Sequence, residues 1–112
     1  MGHAPESIAD ALDWFRKRFR AESARDLEVS FQMELSGEGG GVLSLTIDRG
    51  LLRAEAAAVP GPDVLYRLSA PDLFGVLAGE RNPDLLFMEK RIQIEGDLSL
   101  ALKLRSLFRA GG

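Results

Sequence analysis

The amino-acid sequence predicts an α+β domain, and three features of its hydrophobic pattern support that class. Residues 5–20 repeat apolar side chains at helical spacing, residues 27–68 contain segments that alternate polar and apolar side chains, and residues 69–108 return to helical segments around one short strand. The predicted order is a helix, three antiparallel strands, a crossover, a strand, two helices, a strand and a C-terminal helix.

Length and composition describe one domain, residues 1–112, that can fold alone. A formal net charge of -3 argues against nucleic acid as a partner, because nucleic-acid-binding proteins usually carry a basic surplus. No apolar run reaches the roughly 18 residues of a membrane span. Residues 1–4 lack the apolar core of a signal peptide and are treated as a disordered or tag-derived start, so we expect a cytoplasmic protein.

The first predicted helix, residues 5–20, has one apolar stripe. Its members are Ile8, Leu12, Phe15 and Phe19. Acidic residues lie toward its start and basic residues toward its end, which suits the helix dipole. The basic run is interpreted as a solvated helix end, with a headgroup or phosphate site as the alternative.

The strongest strand prediction covers residues 27–35, where apolar side chains alternate with polar ones. The glycine-rich residues 37–41 lack the Lys-Ser/Thr pair of a phosphate-binding loop and are interpreted as a hairpin loop. Residues 43–47 alternate as a second strand, and residues 48–50 predict the next turn.

Residues 51–59 are ambiguous, because alanine favours a helix whereas the position after a tight turn favours a strand. We interpret them as a third strand, in which Leu52, Ala54, Ala56 and Ala58 face inward. The small side chains leave space that larger residues would fill, which is the first indication of a cavity. A helix packed closely against the strand is the alternative.

Residues 60–62, Pro-Gly-Pro, break the chain and permit a crossover into a fourth strand at residues 64–68. Ser69 begins a short helix as a capping-box variant, in which its hydroxyl accepts the backbone N–H of Asp72 and the Asp72 carboxylate reaches back. Gly79 ends this helix.

The C-terminal part also uses caps. Asn82 begins a helix whose first position is a proline, which needs no N–H partner there. Residues 91–95 alternate as a short strand, and Asp97 caps a final helix that continues to Phe108.

The final helix is apolar on two sides. One side carries Leu100, Leu104, Leu107 and Phe108. Leu98 and Leu102 lie opposite and are continued by Arg105 and Arg109. This second side must be covered by a ligand, a helix or a partner chain, and its basic end predicts either a pocket mouth near an anionic headgroup or the ordinary complement of the helix dipole.

No catalytic constellation is visible in the sequence. His3 is the only histidine, cysteine is absent, and there is neither a Gly-x-Ser-x-Gly motif nor a metal-ligand spacing. Glu89 and Glu95 flank the fifth strand and are interpreted as solvent-facing, not as an acid–base pair. We therefore expect no enzyme activity, no metal and no cofactor.

The segment FMEKRIQIEGDLSLALKL, residues 87–104, resembles the C-terminal signature of the sterol carrier protein 2 (SCP-2) family. The matching residues are Phe87, Met88, Gly96, Asp97, Lys103 and Leu104. The resemblance extends upstream through residues 69–79 and 37–50. It implies an SCP-2-like fold, with a five-stranded mixed sheet and helices covering one face around an apolar tunnel.

The resemblance also implies non-catalytic binding and transfer of a sterol, a fatty acid or fatty acyl-CoA, or a phospholipid, with transient membrane contact and no cofactor. The competing class is an accessory factor that holds an isoprenoid ubiquinone intermediate for partner enzymes. A third possibility is a domain that presents an apolar substrate to a separate catalytic chain. We expect a monomer or weak homodimer.

Together with the apolar pattern, the resemblance predicts which residues line the cavity. They are Phe31, Met33, Leu45, Ala54, Ala56, Phe74, Leu77, Phe87, Met88, Leu98 and Leu102.

Overall fold

The chain folds into a five-stranded mixed sheet with helices packed against it. The computed structural model describes residues 5–109. The helices are α1 (Ile8–Arg18), α2 (Ala70–Leu77), α3 (Pro83–Met88) and α4 (Leu98–Lys103); the strands are β1 (Glu28–Ser36), β2 (Gly41–Asp48), β3 (Leu51–Glu55), β4 (Val64–Ser69) and β5 (Gln93–Gly96). The strand order is β3-β2-β1-β4-β5, with β1 and β4 parallel and the other pairs antiparallel. The predicted fold class is confirmed, and the prediction for residues 1–4 lies outside the described residues.

A row of paired side chains across β1–β3 is buried in the core. Phe31 pairs with Leu45, Leu45 pairs with Ala54, and none of the three is more than 5% exposed. Helix α1 covers this row, and the Arg16 Nη2 atom donates a hydrogen bond to the Ala54 carbonyl at 2.6 Å. The buried side chains that α1 contributes are Ala11, Leu12 and Phe15.

Helix α1 is shorter than the predicted residues 5–20. The hydroxyl of Ser7 accepts the backbone N–H of Asp10 at 3.1 Å, and the helix begins one residue after this cap, at Ile8. The side-chain acceptor satisfies one of the donors that the first turn leaves free, which explains why the helix begins there.

The third strand ends at Glu55, earlier than predicted, and the inward orientation predicted for Ala56 and Ala58 is wrong. Both alanines are exposed in the irregular segment that follows β3. In this segment the backbone N–H of Val59 donates to the side-chain oxygen of Gln32 at 2.9 Å. The loop is therefore attached to β1 through a side chain instead of continuing the ladder.

The predicted caps of α2, α3 and α4 are confirmed. Each capping oxygen accepts a backbone N–H from the first turn: Ser69 from Asp72 at 3.1 Å, Asn82 from Asp84 at 2.8 Å, and Asp97 from Ser99 at 2.9 Å. The second half of the capping box at α2 is wrong, because the Asp72 carboxylate binds Arg81 and Arg91 instead of reaching back to the backbone of Ser69.

The C-terminal segment is not the single helix that was predicted. Helix α4 ends at Lys103, and Leu104–Leu107 form a 3-10 turn. After this turn the ring of Phe108 packs 5.0 Å from that of Phe15, centroid to centroid. The backbone N–H of Arg109 donates to the Arg18 carbonyl at 2.8 Å, so the segment is attached to the end of α1. No helix within residues 5–109 is long and apolar enough to cross a membrane.

Candidate functional site

An apolar pocket of about 1010 Å³ opens between the sheet and helices α2, α3 and α4. Its floor is a register row in which Met33 pairs with Tyr66 and Tyr66 pairs with Ile94. Met33 lies two positions after Phe31 on β1, and residues two apart on a strand share a face. The pocket floor is therefore the same sheet face as the packed core, extended toward β5.

The helices supply the walls of the pocket. The apolar wall residues are Leu73, Val76 and Leu77 of α2, Phe87 of α3, and Leu98, Ala101 and Leu102 of α4. Three aromatic rings, those of Trp14, Phe15 and Phe108, close the end next to α1 with centroids 5.0 to 6.5 Å apart. Apolar side chains therefore make up most of the lining, which also contains charged residues such as Arg81, Asp84 and Arg105.

Helices α3 and α4 expose large apolar side chains to solvent, and three of these, Phe87, Leu98 and Leu102, line the pocket at its mouth. Among the described residues, the exposed large hydrophobic residues on α3 and α4 are Leu85, Phe87, Met88, Leu98 and Leu102, and the exposed fraction of Leu102 reaches 80%. Leu51 on β3 is the other member of this class within residues 5–109. Clustered apolar exposure of this kind marks a binding surface more often than scattered single residues do.

Polar groups lie at the rim and in one wall. Arg105 Nη2 and Asp84 Oδ1 form an ion pair of 2.5 Å that joins the C-terminal segment to α3, and both residues line the pocket. The Tyr66 hydroxyl donates to the Ala101 carbonyl at 3.5 Å. Burial raises the pKa of Tyr66 well above its ordinary value, so the hydroxyl stays protonated and remains a donor at neutral pH.

The structure brings five of the predicted lining residues to the pocket: Met33, Leu77, Phe87, Leu98 and Leu102. The pocket boundary differs at the other predicted residues. Phe31, Leu45 and Ala54 belong to the packed row under α1, and Ala56 is exposed beyond β3.

Phe74 and Met88 also lie away from the lining. A Cβ atom added to Gly39 would meet the Phe74 ring at 3.5 Å, so this ring lies against the β1–β2 loop. Met88 is 75% exposed at the end of α3. Neither residue lines the pocket, so the geometry does not support the prediction that Phe74 and Met88 contact a ligand.

Sequence reasoning missed several lining residues, notably Tyr66, Ile92 and Ile94. The period-two pattern of the fourth and fifth strands contained the signal, because Tyr66 and Ile94 share a face with Met33 once the register is known. The register itself depends on pairing between distant strands, which a single sequence does not specify.

A second, polar cleft of about 740 Å³ surrounds the Asp72 carboxylate. The Asp72 side chain is 3% exposed, accepts from Arg91 Nη2 at 2.6 Å and from Arg91 Nε at 3.1 Å, and pairs with Arg81. These contacts tie the start of α2 to the chain on both sides of α3. Guanidinium groups hold both carboxylate oxygens, and charge-assisted contacts of this kind are among the stronger hydrogen bonds in proteins. No cluster of three potential metal ligands occurs within residues 5–109.

Comparison with known proteins gives matches over most of the chain. A family model, the SCP-2 sterol transfer family, matches residues 13–109. Mouse (Mus musculus) hydroxysteroid dehydrogenase-like protein 2 is 30% identical over 77% of this chain and 18% of its own length. The ubiquinone biosynthesis accessory factor UbiT of Escherichia coli K12 is 40% identical over 43% of this chain and 28% of its own length. The chain thus spans less than a third of either relative.

Solved structures share the fold. Palmitated SCP2L2 from Aedes aegypti superposes with a TM-score of 0.69 at 19% identity, covering 93% of both chains. The sec-alkylsulfatase Pisa1 from Pseudomonas sp. gives a TM-score of 0.81 at 16% identity, covering 96% of this chain and 17% of that enzyme. At such identities the likeness concerns the fold alone.

Proposed function

The chain belongs to the SCP-2 sterol transfer family, and from that premise we propose that it binds a lipid in the apolar pocket without catalysing a reaction. The candidate ligands are a sterol, a fatty acid or fatty acyl-CoA, and a phospholipid. The observation that carries the proposal is the pocket of about 1010 Å³ whose mouth exposes apolar side chains. The expected cytoplasmic location and the monomer or weak homodimer stay predictions.

Two physical arguments support lipid as the ligand class. The pocket lies at the upper end of the volumes that ligand sites usually have, about 300–1,000 Å³. Leu98 and Leu102 are 60% and 80% exposed, and a bound hydrocarbon would remove them from water at a gain of about 25 cal/mol per Å² of apolar surface. The apolar surface of the hydrocarbon chain is buried in the same contact, and its burial is favourable by the same amount per Å².

The same mouth suits a brief contact with a membrane during transfer. Leu98 and Leu102 line the pocket together with Arg105 and Arg109, so its mouth combines apolar side chains with cationic ones. Cationic side chains next to inserted apolar ones favour anionic lipid surfaces. Lipid would then enter or leave where the pocket is already open.

Substitution of exposed leucines inside and outside the pocket tests this proposal. Leu98→Asp combined with Leu102→Asp should weaken binding of an uncharged fluorescent lipid about tenfold, because two apolar contacts are lost. Leu51→Asp is the control, since Leu51 is 73% exposed but lies on β3 away from the pocket. It should leave the affinity unchanged, and flotation with anionic vesicles should separate the variants in the same way. Equal affinities for parent and double variant would count against the pocket as the binding site.

The second candidate is an accessory role in isoprenoid quinone synthesis, which the 40% identity to UbiT over 48 residues favours. In this case the pocket would hold an isoprenoid intermediate and the chain would form a stable complex with partner enzymes. Native mass spectrometry of freshly purified protein separates the candidates, because the released molecule is either a quinone precursor or an ordinary membrane lipid.

A further inference from the structure

The pocket mouth carries a carboxylate that is already bound by an arginine. Asp84 of α3 and Arg105, which follows α4, meet at 2.5 Å, and both line the pocket. Their side chains are 69% and 59% exposed, so water and salt screen the pair and it contributes little to stability. An ion pair of this kind can exchange one carboxylate for another at small cost.

The other arginines at the mouth differ in whether an acidic side chain already binds them. Arg81 also lines the pocket, but its guanidinium is bound to the buried Asp72. Arg109 lines the pocket and makes no ion pair with the described part of the chain, residues 5–109. Residues 98–109 contain Lys103, Arg105 and Arg109 and no acidic residue. Arg105 and Arg109 are therefore the cations that an anionic group at the mouth would meet.

We propose that Arg105, assisted by Arg109, binds the ionised carboxylate of a fatty acid whose chain fills the apolar pocket, and that Asp84 competes with this carboxylate for Arg105. This inference rests on the proposed lipid-binding function and names the ligand class within it. A guanidinium presents paired N–H donors that match the planar carboxylate. The Asp84 carboxylate occupies the place at Arg105 that the ligand's carboxylate takes.

The physical advantage of the ligand over Asp84 is its chain. Both present the same headgroup to Arg105, but only the fatty acid also buries hydrocarbon against Met33, Phe87 and Leu102. A fatty alcohol keeps that burial and lacks the charge. The difference in affinity between acid and alcohol therefore isolates the contribution of the arginines.

The experiment compares palmitate with palmityl alcohol, each displacing an uncharged fluorescent lipid, at a pH where the acid is ionised. The parent should bind the acid about tenfold more tightly than the alcohol, and Arg105→Gln should abolish that preference. Asp84→Asn should tighten acid binding about threefold and leave the alcohol unchanged, because the competing carboxylate is gone. Arg49→Gln, which breaks the exposed Arg49–Glu28 pair far from the pocket, is the matched control.

The possible results separate a failure of the carboxylate assignment from a failure of the proposed lipid-binding function. Failure of the fluorescent lipid itself to bind the parent would count against the proposed lipid-binding function, whereas a bound fluorescent lipid that neither palmitate nor palmityl alcohol displaces would overturn only the fatty-acid inference. Equal affinity for acid and alcohol in the parent, or no gain in Asp84→Asn, would overturn the carboxylate assignment and leave lipid binding intact. Tighter binding of the corresponding alkyl phosphate than of palmitate would also overturn it, in favour of a phosphate headgroup.

Discussion

Two regions of the molecule use apolar side chains in opposite ways. The packed half, residues 8–55, contains α1 and β1–β3 and buries Phe31, Leu43 and Leu45 completely. The open half, residues 83–109, contains α3, β5 and α4, where α3 buries only Leu86 and α4 buries no residue. Both halves are rich in leucine and phenylalanine, so composition does not distinguish a core from a binding surface. The two are distinguished by whether another helix or strand covers the apolar side chains.

Because burial contributes less in the open half, polar contacts position its helices. Asp72 binds Arg81 before α3 and Arg91 after it, while Asn82 and Asp97 cap α3 and α4. Such contacts set direction and spacing without covering the apolar faces. The helices are thereby held in place while Leu85, Leu98 and Leu102 stay exposed.

The largest expected contrast compares one substitution in the two halves. Leu45→Ala should lower the free energy of unfolding by about 3 kcal/mol, because it removes a fully buried side chain and leaves a cavity. Leu102→Ala should cost less than about 0.5 kcal/mol, since Leu102 is 80% exposed. Urea unfolding of both variants measures the difference. Similar losses would mean that α4 closes over the pocket in solution and that the contrast is wrong.

The next contrast compares two aspartates that bind arginines. Asp72→Asn should cost about 2 kcal/mol, because a buried carboxylate held by two guanidinium groups is lost, although both arginines are half-exposed and regain water. Asp84→Asn should cost less than about 1 kcal/mol, since its pair with Arg105 is exposed on both sides. Thermal and urea unfolding check both values. An Asp72 variant as stable as the parent would show that burial alone positions α3.

Much of the fold could be predicted because its signals are local. Alternation over residues 27–35 predicted β1 to within a residue, and the residue types at Ser69, Asn82 and Asp97 predicted where three helices begin. Each of these signals lies within a few neighbouring positions. A single sequence is sufficient for them.

The rest depended on partners that are distant in sequence. The Asp72 partners lie nine and nineteen positions away, so a local capping box was the only pattern visible there. The segment after Glu55 left the sheet although its alanines suit a strand or a helix, because small side chains bury too little surface to specify either. Lining and core residues could not be separated, because an apolar residue at a given period suits both.

The smallest expected effect concerns the cap of α4. The Asp97 carboxylate accepts the backbone N–H groups of Leu100 and Ser99, and these hydrogen bonds, the one from Leu100 first, hold the pKa of Asp97 below its usual value of 3.8. A carboxyl with a depressed pKa in the folded state stabilises that state above the unfolded pKa and loses the contribution as pH falls through the folded pKa. The cap of α4 should therefore be intact at neutral pH and weaken only in acid below about pH 4.

Asp97→Asn separates the charge from the cap, because an asparagine oxygen still accepts the N–H groups but does not titrate. The parent should show acid-dependent shifts of the Ser99 and Leu100 amide signals in NMR spectra, and the asparagine variant should lack them. Asp97→Ala should increase hydrogen exchange in α4 at every pH while the amides of β1 and β2 keep their protection, because burial holds the packed half and the cap holds α4. Loss of protection across the whole sheet would instead show that the two halves unfold as one cooperative unit. In that case packing against the core, and not the polar contacts, would position the open half.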